Sequence, residues 1–348
     1  AGLQLTTDGE LGLYRLHLDD SNHHHDGSRI LRGDMRAILA RPFDFGSFVL
    51  EPFVGGRLTF SDTRFVAGAT PNQHYDAALG FRPPPEDAEL EEDLVSRAQL
   101  LFGVNAQTNL TRVYSGVRSK LFDIEGLRHI ITPSVRWENA LGQSGRELEF
   151  VQTDEVAALG NHNRVLLGLR NRFQTRRTIQ GVTRTVDFAD VLFELPFYPN
   201  AERDNAGRRF GPLEVQGRLR PHRSIAIDAG AFFETEKFNW QRWYLAASTR
   251  LYSTDLTAFY RSVRDQHEIF GVTTDTRFSG TYSVGTEFEY DFQEGRTRDL
   301  QIRISRTFVE TFKVSLHMRR DAIRDDFSFS VSLSANFGPA VYEPAHED

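Results

Sequence analysis

Histidine is a common metal ligand, so the three adjacent histidines His23, His24 and His25 are the first residues to test for chemistry. They sit in SNHHHDGS at 21–28, a run of turn formers. Adjacent residues of an extended chain point to opposite sides, and no carboxylate pattern supports the histidines. The expectation is a solvated loop without metal. Serine-hydrolase chemistry needs a serine, a histidine and an acid within hydrogen-bond reach. The sequence has no G-x-S-x-G. His129 and Ser134 are five apart on one extended run, hence on opposite faces, and His317 shares the polar side with Lys313 and Ser315. No phosphate-cradling glycine loop, Walker motif or zinc spacing occurs. The chain is read as a non-enzyme that needs no cofactor.

What remains is a set of charges at alternating positions. Arg170, Arg172, Arg218, Arg220, Arg250 and Arg303 share a polar side with Glu214, Asp228, Glu287 and Glu289. Mixed charge of this kind suits the wall of a water-filled passage. It serves a porin as well as a path for an acidic or phosphorylated cargo.

The elements that carry these charges are strands. Asp326 to Phe337 shows the pattern most clearly: Phe327, Phe329, Val331, Leu333, Ala335 and Phe337 alternate with Ser328, Ser330, Ser332, Ser334 and Asn336. Successive strand residues face opposite sides, so this segment has one apolar and one wet face. The same alternation recurs along nearly the whole chain without helices between. Two-faced strands in long succession predict an all-β, antiparallel, transmembrane outer-membrane β-barrel, a meander of about 14–16 or more strands. Strands are expected at 11–18, 29–40, 48–60, 98–112, 128–139, 162–173, 183–195, 213–220, 225–231, 240–252, 255–264, 277–292, 300–308, 312–319 and 326–337. That is about 15 where bacterial barrels have even numbers, and the missing strand is expected near 1–8 or 114–124. Pro52 and the pair Gly55-Gly56 weaken the strand at 48–60. Residues 61–96, with PPPEDAELEED at 83–93, read as a long acidic loop, 141–161 as another, and 339–348 as an unstructured tail after a barrel over 1–338.

Composition fits. The hydrophobic fraction is 39% and mean hydropathy is −0.43. No apolar run approaches the roughly 20 residues of a membrane helix, but a barrel faces lipid with alternate residues only. The 28 Phe and 10 Tyr suit a lipid face and its interfacial rings. A net charge of −7 argues against nucleic acid, and with no cysteine there is no disulfide or thiolate site. Lys120, Lys237 and Lys313 are the only lysines among 41 basic residues, which reads as the codon usage of a GC-rich genome. The chain opens mid-pattern at Ala1 without a signal peptide, as expected of a mature or trimmed fragment.

A succession of segments carries a family resemblance: RGDMRAILARPFDFGSFVLEPFVGGRLTFSDT at 32–63, RHIITPSVRWEN at 128–139, HNRVLLGLRNRF at 162–173, GPLEVQGRLRPHRSIAIDAGAFFE at 211–234 and YSVGTEFEYDFQEGR at 282–296. In this order they resemble the C-terminal barrel of LptD-type lipopolysaccharide-assembly outer-membrane proteins. The resemblance implies a transporter that inserts lipopolysaccharide into the outer leaflet. The sugar would pass along the charged wall and the lipid would leave sideways through a lateral gate. On that pattern the gate comprises Pro52, matching the family's early-strand prolines, with Phe327, Phe329, Val331, Ser332 and Leu333 of the closing strand as its partner. Implied partners are lipopolysaccharide, a plug lipoprotein of the LptE type, periplasmic bridge proteins and outer-membrane lipids. The family's N-terminal periplasmic domain and its cysteines are absent from this chain. The alternative is a passive porin, and a rim-active membrane hydrolase comes third.

Overall fold

The computed structural model describes residues 2–15, 29–66, 89–142, 161–179, 181–205, 207–308, 312–322 and 326–335. In chain order the strands are β1 (Gln4–Arg15), β2 (Arg29–Ala40), β3 (Phe43–Asp44), β4 (Val49–Ser61), β5 (Arg64–Val66), β6 (Glu89–Glu91), β7 (Val95–Gln107), β8 (Leu110–Ser119), β9 (Ile124–Gly142) and β10 (His162–Ile179). They continue with β11 (Val182–Phe197), β12 (Leu213–His222), β13 (Ile225–Glu234), β14 (Asn239–Leu251), β15 (Thr254–Val263), β16 (His267–Arg277), β17 (Tyr282–Asp291), β18 (Arg296–Phe308), β19 (Phe312–Asp321) and β20 (Asp326–Ala335). One four-residue helix, α1 (Ala201–Asp204), interrupts them. Eighteen strands belong to one sheet, and β5 with β6 forms a separate pair. Two compact units divide the chain: 1–118, 124–217 and 231–241 make the first, and 119–123, 218–230 and 242–348 the second.

In the first unit β1 pairs with β2, β2 with β4, β4 with β7, β7 with β9, β9 with β10 and β10 with β11, all antiparallel. In the second, β14 to β20 pair in chain order, also antiparallel. Short turns make this meander possible. Tyr252 takes φ +55° in the two-residue link between β14 and β15, and Gly295 takes φ +66° before β18.

Several expectations need correction. The segment His267–Arg277 is the strand β16, which sequence pattern missed, because Thr273, Thr274 and Thr276 blur the apolar–polar alternation of HEIFGVTTDTR. The strand expected at 277–292 accordingly begins only at Tyr282. The strand expected at 11–18 runs from Gln4 to Arg15, so β1 takes up the segment near 1–8 without adding a strand there, whereas β8 over Leu110–Ser119 is present near the other place. The span 61–96 is not all loop, since it holds β5, β6 and the start of β7. The histidine run at 21–28, residues 67–88, 143–160 and the tail at 339–348 lie outside the described residues.

Pro52 does not meet the closing strand. Its strand β4 is flanked on both sides, with Val104 of β7 opposite Pro52 on one of them. On the other, the Arg41 N–H donates to the Pro52 carbonyl at 3.1 Å. The return bond would need the N–H that proline lacks. That half-made pair coincides with Arg41-Pro42, where β2 stops and β3 has not begun, so the ladder loses little there.

Candidate functional site

Each unit is built inside out. In the first, Arg32, Thr59, Ser61, Arg97, Gln99 and Glu138 are buried while Leu11, Met35, Leu58 and Leu100 are exposed. In the second, Glu289, Asp291, Asp299, Ser305 and Ser315 are buried while Leu245, Phe270, Phe288, Leu300 and Ile304 are exposed. The ladders fix this arrangement. Asp275, Gly285 and Arg303 lie opposite one another on β16, β17 and β18, so they share a face, and Thr276, Val284 and Ile304 share the other.

The polar face of the second unit is a wall of paired charge. Arg261 donates one guanidinium nitrogen to both Glu289 oxygens at 2.9 Å. Arg303 reaches over Gly285 to Asp275 at 2.6 Å. Glycine is what lets it pass, because a Cβ at Gly285 would stand 2.9 Å from an Arg303 nitrogen. Arg319 binds Asp299 at 3.0 Å, Arg250 binds Asp255 at 2.6 and 2.9 Å, and Arg218 binds Asp228 across the β12–β13 turn. Glu287 stands between Thr273 and Gln301. Arg220 follows Arg218 on the same face of β12. His317 lies 3.1 Å from the Ser332 hydroxyl.

At one end of this wall Asp291 is 1% exposed. Its Oδ1 accepts the N–H groups of Gln293 at 2.9 Å and Glu294 at 3.3 Å, which shapes the β17–β18 turn. Its Oδ2 faces His267 at 3.9 Å and Arg298 at 3.7 Å.

In the first unit Arg170 takes the Asp190 carboxylate, with its Nε 2.8 and 3.0 Å from the two oxygens, although Arg172 is the residue directly opposite Asp190 in the ladder. Glu214 accepts from the Gln216 amide two residues on. Sequence pattern missed two tighter clusters here. Asp34 accepts both Nε and Nη2 of Arg57 at 2.9–3.0 Å and the Thr59 hydroxyl at 2.7 Å. Glu138 binds Arg136 at 2.8 Å, His162 at 3.3 Å and also Arg164. Strand parity alone puts Asp34 beside Arg32 and Arg36, and Glu138 beside Arg136. Their cross-strand partners follow only once register is known.

The lateral-gate residues are not brought together as expected. Phe327, Phe329, Val331 and Leu333 lie on the apolar face of β20, and Ser332 lies opposite Ser315 on its polar face. Pro52, on β4, is held between β7 and the Arg41-Pro42 link of β2 and β3.

Aromatic side chains mark the apolar face at two levels. Phe45 and Phe48 stack at 4.8 Å in the β3–β4 link of the first unit. In the second unit Tyr252, Phe278, Tyr282, Phe308 and Phe312 cluster at the same kind of short link and are exposed. There the Arg306 guanidinium sits 4.5 Å from the Phe308 ring centre and 5.1 Å from that of Tyr282. Toward the other end Trp243 stacks on Tyr260 at 5.0 Å, Tyr260 on Phe292 at 6.2 Å, and Phe292 meets Tyr290 edge-on at 5.2 Å. Trp243 lies on β14 and Tyr252 just past its end, nine positions on, about 30 Å of chain at ~3.3 Å per residue. A strand tilted by about 40° covers about 23 Å of that along the membrane normal, against an apolar band of about 25 Å in outer-membrane barrels.

The chain is an outer-membrane β-barrel protein. Apolar side chains turned outward between two aromatic rows, with charge turned inward, are stable only where the outer solvent is hydrocarbon. No helix among the described residues is long and apolar enough to cross a membrane, so strands make the crossing. No family model matches this sequence, and no curated protein does. Among solved structures, variants of the Rhodopseudomonas blastica porin are similar at 10% identity, with TM-score 0.44 over 95% of this chain and 98% of that one. The siderophore receptor PirA of Acinetobacter baumannii is similar at 7% identity, with TM-score 0.42 over 90% of this chain and 57% of the receptor.

Proposed function

We propose that this barrel is a passive outer-membrane channel for small hydrophilic solutes. The paired-charge wall supports this reading. Arg218, Arg250, Arg261, Arg303 and Arg319 are each anchored to a carboxylate on a nearby strand. Such a wall is hydrated, fixed in place and close to neutral, which admits ions of either sign. Purified protein reconstituted in a planar bilayer is expected to give discrete conductance steps with weak ion selectivity. Silent bilayers, from protein shown to be folded and inserted, would overturn the channel.

A second reading, lipopolysaccharide export through a lateral gate, is favoured by the terminal strands. Phe327, Phe329, Val331 and Leu333 of β20 are 61–68% exposed, and Leu5, Leu11 and Leu13 of β1 are 67–70% exposed. Phe270, Phe288, Leu300 and Ile304, on strands with two neighbours, are 36–42% exposed. On this reading lipopolysaccharide is the cargo. A plug lipoprotein of the LptE type, periplasmic bridge proteins and outer-membrane lipids are then the partners. Photo-crosslinkers at Arg218, Glu287 and Ser332 should capture lipopolysaccharide in living cells, and one at lipid-facing Val331 should not. Capture confined to the three wall positions would replace the channel reading by export.

A further inference from the structure

Beyond the wall, β8 has no buried side: all its residues from Leu110 to Arg118 are exposed, on both faces, as are Gln4–Leu11 of β1 and Phe327–Ser334 of β20. The ladder gives the reason. β4 lies beside β7 only from Ser61 opposite Val95 to Val49 opposite Gln107, and the Phe45 N–H then closes its end onto the Phe48 carbonyl at 3.0 Å. The Thr108 hydroxyl donates to the Ser47 carbonyl there, at the level of the aromatic pair Phe45–Phe48. β8 runs on for ten residues past that level, about 33 Å of strand. It runs from the end with short links, which in outer-membrane barrels faces the periplasm. Among the described residues β4 does not extend along this flank past Gln107, and an uncovered strand edge offers its backbone N–H and C=O groups for pairing. Of the usual edge protections, LTRVYSGVRS contains no proline and no lysine, and its charges are Arg112 and Arg118.

β8 itself carries charge of one sign, with Arg112 and Arg118 and no acid. Beyond it the charge is mixed: Arg128, Arg176 and Arg184 stand on the ends of β9, β10 and β11, with Asp123 in the β8–β9 turn and Glu125 opposite Arg176. Asp187 accepts from the Gln174 amide at 2.7 Å. The chain as a whole has a net charge of −7, so this basic strand runs against the average. Leu110 and Tyr114 on one face, and Val113 and Val117 on the other, add apolar footholds, with Arg112 5.1 Å from the Tyr114 ring centre.

We propose that the free edge of β8 accepts an extended, acidic segment of a periplasmic protein as an added strand. Backbone bonds would supply the affinity, and side chains alternating acid and apolar would supply the choice of partner. Of the chain's own acidic residues, Glu91 and Asp93 are paired with Arg64, and they join β7 at Val95, twelve positions before Gln107 and about 40 Å of strand away from β8.

The test uses the full chain in detergent, with fluorescent ten-residue peptides alternating valine with glutamate or valine with lysine. The glutamate peptide is expected to bind at least tenfold more tightly, and the R112E/R118E double variant should reverse that order. Because the chain has no cysteine and a Cβ at Gly116 would meet nothing, Gly116→Cys gives one reactive point beside the edge. Cysteines moved along the bound peptide should crosslink to it at every second position, as strand addition requires. Heat-modifiable mobility on gels checks folding. If the double variant does not fold, R112Q/R118Q replaces it and should abolish the preference. Equal binding of the two peptides, indifference to the arginine changes or crosslinking at every position would overturn the proposal. A dimer mass without peptide would assign the edge to a second copy of this chain and overturn it as well.

Discussion

Single residues in the polar wall act through their partners. Glu138 neutralises Arg136 and Arg164 and faces His162. Removing one member of a buried pair strands the rest and typically costs 3–5 kcal/mol. The arginines here are about one-third to two-fifths exposed, so Glu138→Ala is expected to cost about 1–3 kcal/mol. Unfolding from micelles in denaturant measures that loss, and an unchanged midpoint would show that water replaces the carboxylate. Gly285 gives a sharper test. Gly285→Leu fills the space through which Arg303 reaches Asp275, so the guanidinium must leave its partner and stand free in the wall. Single-channel recordings are expected to shift toward anion selectivity, while Asp275→Asn, which frees Arg303 without added bulk, shifts it the same way. Opposite shifts from the two variants would refute the assignment. The sequence made half of this legible. Parity placed Arg303 on the wet face, but Asp275 belongs to β16, whose threonines hid it, and the role of Gly285 exists only in the register of three strands.

The strands and their turns carry a different set of constraints. Tyr252 is fully exposed and holds φ +55° in a two-residue turn, a conformation that costs a non-glycine residue about 1–2 kcal/mol. Tyr252→Gly removes that strain, and it also removes one ring of the aromatic row. In detergent, where the row has no interface to grip, the variant is expected to melt higher than the parent. In bilayers the gain should shrink or reverse. Equal shifts in both media would mean that the ring anchors nothing. Strand existence was readable wherever apolar and polar residues alternate strictly, as in β20. It failed in β16, where β-branched threonine suits either face. It also misjudged Pro52, because a strand proline marks a broken ladder bond and cannot say which neighbour lost it. Here the answer lay in Arg41-Pro42, on a strand nearer in sequence than the closing one.

At the scale of the whole molecule, charge turned inward and apolar groups turned outward are the observations that decide the environment. They were foreseeable, since alternation over so many strands without helices leaves few other ways to satisfy the backbone in lipid. Choosing between a channel and an exporter was not, because a charged wall serves both and the difference lies in motion at the terminal strands. A crosslink tying β20 to β19 is expected to leave conduction unchanged on the channel reading. Cysteines at Ser315 and Ser332, which face each other in the ladder, provide one. Loss of conduction on oxidation, restored by reductant, would show that these strands must part for transport.

The spacing of the two aromatic rows also selects the membrane itself. An apolar height of about 23 Å falls short of a typical hydrocarbon core of about 30 Å. In a thick bilayer, lipids around this protein must compress their chains or the strands must stand more upright, at a cost that grows with each ångström of mismatch. The bacterial outer membrane is thinner than average, so this height favours it over a thicker one. Reconstitution should therefore go furthest in short-chain lipids, and in a mixture the protein should gather the thinnest lipid around itself.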